Sequence, residues 1–240
     1  MKLNTPSRPF AGPPLLPVAI VHILLFAANL VAGVLLKHGP AFVNPYGDAE
    51  ASRRFFAENP LALRVSAFFI FGSSVPLGIY TATVVSRLRF LGVRAAGTYI
   101  ALFGGFMAAG LIMLTGLCTW TLSVPEVSAS LPLSRALHFL SFQFGGVAFA
   151  VTFGLLAAGV SVTAFFSNLL PRWLTGFGLL IALAGELSAL SLIAYPATIA
   201  IPITRFGGFI WLIAVAASLQ KKPLTDPRTT GNITKEATNS

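Results

Sequence analysis

Residues 179–194 read LLIALAGELSALSLIA: fifteen side chains are apolar, small or hydroxylic, and one, Glu186, is a carboxylic acid. A charged side chain at the centre of a membrane helix costs about 2.5–3.5 kcal/mol on insertion scales. Such a group is therefore expected to face other helices, to be partnered, or to keep its proton. Stepping about 100° per residue places Ala182 and Ala189 within roughly 60° of Glu186, and Gly178 within roughly 80°. The acid thus borders a seam of small residues and is expected to aim into a helix bundle.

Depth along the helices suggests companions. At about 1.5 Å per residue, Glu186 lies about 12 Å below one end of its helix, with Asn29 at about 10 Å and Gln143 at about 9 Å from the same side. Arg205 begins the following helix from that side, and Arg64 and His138 sit near the same rim. The expectation is a polar layer, candidate for ligand binding, formed by Glu186, Asn29 and Gln143 with Arg205, Arg64 or His138 above. Two readings stay open. One is a pocket or relay that binds, senses or moves a small solute or lipid. The other is a buried Glu186–Arg205 pair that fixes helix register in a structural or assembly subunit.

Other chemistries lack residues. His22 and His138 differ in depth by roughly 13 Å, so one haem cannot join them. The single cysteine, Cys118, excludes a cysteine-based zinc cluster and an internal disulfide, and reads as a small buried hydrophobe. No HExxH, GxSxG or phosphate-binding loop is present, and no catalytic pair stands out, so a membrane-embedded enzyme is the third reading. No cofactor and no metal are expected.

The elements that must position these residues follow from composition. Of 240 residues, 55% are hydrophobic and 10% charged, against about 25% charged in soluble domains, so lipid is the expected solvent and the bilayer the first partner. Six segments approach the roughly 20 apolar residues a crossing needs: Pro14–Leu36, Ala62–Ser86, Ala95–Leu122, Leu137–Phe165, Trp173–Ala194 and Ile201–Leu219. The sequence predicts an all-α polytopic bundle of six transmembrane helices over 14–219. A segment of 1–13 precedes it, and a polar tail, read as disordered, occupies 220–240. The first apolar run is too long for a signal peptide core and reads as a retained helix.

The net charge of +9 comes from residues between apolar runs and in the tail, with no aromatic interleaving, so nucleic acid is excluded as a partner. With both termini on one side, that side holds ten basic residues and the other six, which predicts cytoplasmic termini. GDAEASRRFFAENP reads as a short amphipathic helix ended by Pro60, with Phe55 and Phe56 at the membrane interface and Arg53 and Arg54 toward water. Glycines in GGFMAAG (104–110), at 145, 146 and 154, and at 176, 178 and 185 predict close helix packing. Pro76 predicts a kink that strips the Gly72 carbonyl of its donor, with Ser73 or Ser74 as relief.

DAEASRRFFAENPLALRVS and FFSNLLPRWLTGFGLLIALAG resemble an uncharacterised bacterial family of small six-helix integral membrane proteins, classed as a domain of unknown function. The resemblance covers residues 48–219. It implies six helices and a bacterial inner membrane, and it brings no activity or site residues.

Overall fold

The computed structural model of the chain describes residues 12–39 and 43–220, and the architecture is an all-α bundle with no strand among them. The first eleven residues and the tail after 220 lie outside the described residues, including the segment expected to be disordered. The helices are α1 (Leu15–Leu35), α2 (Ala49–Glu58), α3 (Pro60–Phe90), α4 (Gly97–Thr121), α5 (Pro125–Ala129), α6 (Leu131–Gln143), α7 (Phe149–Phe166), α8 (Arg172–Ser188) and α9 (Ala200–Gln220). A π-helical turn, Phe144–Ala148, joins α6 to α7, and 3-10 turns at Ala189–Leu192 and Tyr195–Ile199 join α8 to α9.

Among the described residues, six helical runs are long and apolar enough to cross a membrane: Leu15–Leu35, Pro60–Phe90, Gly97–Thr121, Leu131–Phe166, Arg172–Leu192 and Tyr195–Leu219. They close into a ring. α1 packs on α3, α3 on α4, α4 on α7, α7 on α8, α8 on α9, and α9 returns to α1. The two short helices α2 and α5 lie at one end, packed on each other and on α6.

Small residues set the spacing, because helices in lipid gain little from hydrophobicity and associate by close packing. A Cβ on Gly185 would lie 2.5 Å from the Ala150 carbonyl oxygen and 3.1 Å from the Gly154 Cα, so α7 and α8 meet backbone to backbone. Gly104 meets α7 in the same way. Not every expected glycine is part of this packing: nothing lies within 4 Å of a Cβ on Gly110 or Gly176. Large side chains fill the middle, with Trp211, Tyr80, Phe149 and Phe153 wholly buried. Two cross-bundle hydrogen bonds tie α3 to α9: the Tyr80 hydroxyl donates to the Leu212 carbonyl (3.0 Å) and Arg87 Nη2 to the Leu219 carbonyl (2.7 Å).

α3 continues through Pro76 as one helix. The relief expected from serine hydroxyls takes a different course. Ser73 and Ser74 donate to the Ile70 and Phe71 carbonyls, not to Gly72. Instead the imidazole of His22, fully buried on α1, reaches the Ser73 carbonyl through Nδ1 at 2.8 Å. A proline weakens the helical ladder just upstream of itself, and an acceptor there is available to a neighbouring helix. Cys118 is half-buried, less enclosed than its apolar surroundings suggested.

Candidate functional site

The site begins with the short helix α2. Its first turn is fixed by Asp48, whose carboxylate accepts from the Glu50 amide at 2.9 Å, the expected behaviour of an N-cap aspartate. Arg53 donates to the Glu50 carboxylate at 2.6 Å one turn on, which holds that acid below the usual carboxylate range. The helix ends at Asn59, buried, which clamps two segments. Its Nδ2 donates to the carbonyls of Phe55 (2.8 Å) and His38 (3.1 Å), and its Oδ1 accepts from the His38 amide (2.5 Å). Pro60 then opens α3 at a position where a missing backbone donor costs nothing.

So anchored, α2 turns its aromatic face inward. Phe56 is 3% exposed and stands edge-on to the His138 ring at 5.0 Å. This corrects the expectation that Phe55 and Phe56 both lie at the membrane interface. Phe56 roofs the bundle because α2 has α5 and α6 beneath it to bury against.

Under that roof is a cavity of about 220 Å³. Its polar lining comes from four of the spans: Asn29 on α1, Ser66 on α3, Thr119 on α4, and His138 and Ser141 on α6. Phe55 and Phe56 supply the apolar cover. Two hydroxyls are already engaged: Thr119 donates to the Thr115 carbonyl (2.8 Å) and lies 3.2 Å from the Ser141 Oγ. Ser66 reaches the backbone carbonyl of Asn29 at 3.4 Å. The Asn29 side-chain amide has no hydrogen-bond partner among the described residues, although it can donate two and accept two. No Asp, Glu, Lys or Arg lines the cavity. The chemistry on offer is that of a neutral, largely apolar guest with one or two hydrogen-bonding groups.

The structure thus brings Asn29 and His138 together and disperses the other four candidates. Arg64 lies exposed at the rim and donates through Nε to the Ser123 hydroxyl at 3.2 Å. Gln143 donates to the Tyr46 hydroxyl at 3.3 Å, outside the cavity lining. Arg205 points into the bundle at a different place. Its guanidinium lies over the rings of Phe149 (4.3 Å) and Phe26 (4.8 Å), and its Nη2 donates to the Gly145 carbonyl. That carbonyl belongs to the π-helical turn, where Gly146 leaves helical geometry (φ −93°, ψ −105°). A widened turn breaks the normal donor ladder and leaves carbonyls open to other donors.

Glu186 is the clearest correction. It is exposed on the outer surface of α8 and makes no hydrogen bond or ion pair among the described residues. The pair with Arg205 is not formed, and Arg53–Glu50 is the sole ion pair among the described residues. The buried side of α8 is centred on Gly178, Ile181, Ala182 and Gly185. Glu186 follows Gly185 by one residue and so is rotated about 100° away from it. Of the small residues that flank the acid, Gly178 and Ala182 belong to the packed face, and Glu186 falls just beyond it. Arg205 is satisfied without it, since two phenyl faces and a carbonyl serve the guanidinium.

Sequence reasoning missed Ser66, Thr119, Ser141 and the two phenylalanine covers. Serine and threonine occur throughout the spans, where their hydroxyls bond their own helix, so type alone does not distinguish a lining hydroxyl. No family model matches the chain, and no curated protein or solved structure proves similar to it.

Proposed function

We propose that the chain is a multi-pass membrane protein, with cytoplasmic termini, that binds a small neutral molecule in the cavity beneath α2. The observation that carries this reading is the Asn29 amide, which lines an uncharged cavity with its hydrogen-bonding capacity unspent. Asn29 is half-buried, and a guest that meets its amide gains hydrogen bonds worth about 0.5–1.5 kcal/mol each. At about 220 Å³ the space suits a single-ring molecule or a short lipid segment and not a drug-sized ligand. The uncharged lining disfavours an anion, whose desolvation nothing there offsets. The basic residues gathered between spans on the terminal side support the topology.

Benzyl alcohol serves as a minimal neutral probe and benzoate as its charged counterpart. Saturation transfer from the purified chain to benzyl alcohol is expected, with at least about tenfold weaker engagement of benzoate. Gly33 lines the cavity, and a Cβ there meets only the Ser66 Oγ at 3.5 Å, so Gly33→Leu fills the space from a tolerant position. The Gly33→Leu variant should keep its unfolding temperature and lose the benzyl alcohol signal. Equal signals from the native chain and the Gly33→Leu variant, or from the two probes, would remove the reading.

A further inference from the structure

An acid on the outside of a membrane-spanning helix keeps its proton or meets a cation, and a cation at its depth favours the ionised form. Glu186 sits among Leu179, Leu183, Leu187 and Leu190, all exposed, while the opposite face of α8 packs on α7 and α9. It is not at a rim. Arg172, at the other end of α8, is fourteen residues away, about 21 Å along the axis. Toward the nearer end, α8 gives way after Ser188 to a 3-10 turn and the span ends at Leu192, six positions and about 11 Å on. A glutamate side chain cannot span that distance to reach head groups.

Among the described residues no cation pairs with it. Arg205, on the neighbouring α9, is turned inward to Gly145, Phe26 and Phe149. A second copy fits poorly. A two-fold contact across α8 would set two carboxyls against each other, which is repulsive when both are ionised. The exposed arginines Arg54, Arg64 and Arg135 lie on α2, α3 and α6, so bringing one to α8 of a second copy requires a heterologous contact rather than a two-fold one. We infer that the outer face of α8 docks a transmembrane helix of a different protein that carries a lysine or arginine at the depth of Glu186. Leucines flanking the acid would pack against that helix, and the charge pair would form away from water. The inference rests on the membrane-spanning reading and is independent of the cavity.

The test uses the full chain in phosphatidylcholine nanodiscs, with energy transfer to labelled polyleucine transmembrane peptides. One peptide carries a single lysine at matching depth, one leucine only, and one glutamate. The lysine peptide is expected to associate about tenfold more tightly than the leucine peptide, with the glutamate peptide no better than leucine. Glu186→Leu should abolish the lysine advantage while leaving the unfolding temperature unchanged, which separates lost docking from lost fold. Equal binding of the lysine and leucine peptides would overturn the inference. So would a lysine advantage that persists in the Glu186→Leu variant, or self-association of the chain that this substitution removes. Failure of the chain to insert into the nanodisc bilayer would instead defeat the membrane-spanning reading itself.

Discussion

Gly104→Val is expected to destabilise the bundle by about 3 kcal/mol, the upper end of the range for overpacking, while Gly110→Val on the same helix changes stability by less than about 0.5 kcal/mol. A Cβ on Gly104 would lie 2.5 Å from the Thr152 carbonyl oxygen, 2.7 Å from the Leu155 Cβ and 2.7 Å from the Leu156 amide nitrogen. Two of these are backbone atoms of α7, so no rotamer change relieves the overlap and α4 must part from α7. Gly110 meets nothing within 4 Å. The two sites share helix, residue type and substitution, so the difference isolates helix contact from any effect of β-branching. Reversible unfolding in mixed micelles measures both. Equal losses at the two positions would mean that α4 packs by another face.

Glu186→Leu separates insertion from folding. The carboxylate is exposed in the bundle and would be equally exposed on a lone inserted helix, so its unfavourable contact with hydrocarbon is common to both states. Replacement should therefore leave unfolding within about 0.5 kcal/mol of the native value. Membrane insertion of the fifth span should become more favourable by about 2–3 kcal/mol, the difference between an acid and a leucine on insertion scales. Glycosylation mapping of the isolated span reads the insertion term and micelle unfolding reads the folding term. A loss of bundle stability above about 2 kcal/mol would show that the acid has a partner inside.

The crossings were legible because an apolar run of sufficient length has few alternatives in a helix-forming sequence. The expected Pro14–Leu36 and Ala95–Leu122 match Leu15–Leu35 and Gly97–Thr121 closely. The fourth run extends further than the hydropathy suggested, to Leu131–Phe166, since Pro132 is accommodated in a first turn and a π-helical turn lets two helices continue as one. At that bulge Arg205 reaches Gly145 across sixty residues, a contact that no local pattern encodes. Two of the five polar lining residues were legible for a related reason. Asn29 was placed in the outer half of the bundle with His138 above it at the rim, and depth follows from counting residues along a helix. Direction does not follow as surely. Angles of about 60–80° from Ala182, Ala189 and Gly178 read as part of the packed face, yet they leave Glu186 just outside it. Phe56 was misplaced because the amphipathic pattern of α2 names an apolar face without naming what covers it.

The account turns on a sorting of polar groups, with neutral ones lining the cavity and the acid standing outside. Spin labels at position 186 and at the exposed position 183, each in a Cys118→Ser background, test this in a reconstituted bilayer. The account predicts that both labels collide with dissolved oxygen at similar high rates and are little affected by a water-soluble nickel complex. Strong relaxation of the label at 186 by nickel, or protection from both reagents, would place that side chain in a watered pocket or within the bundle and contradict it.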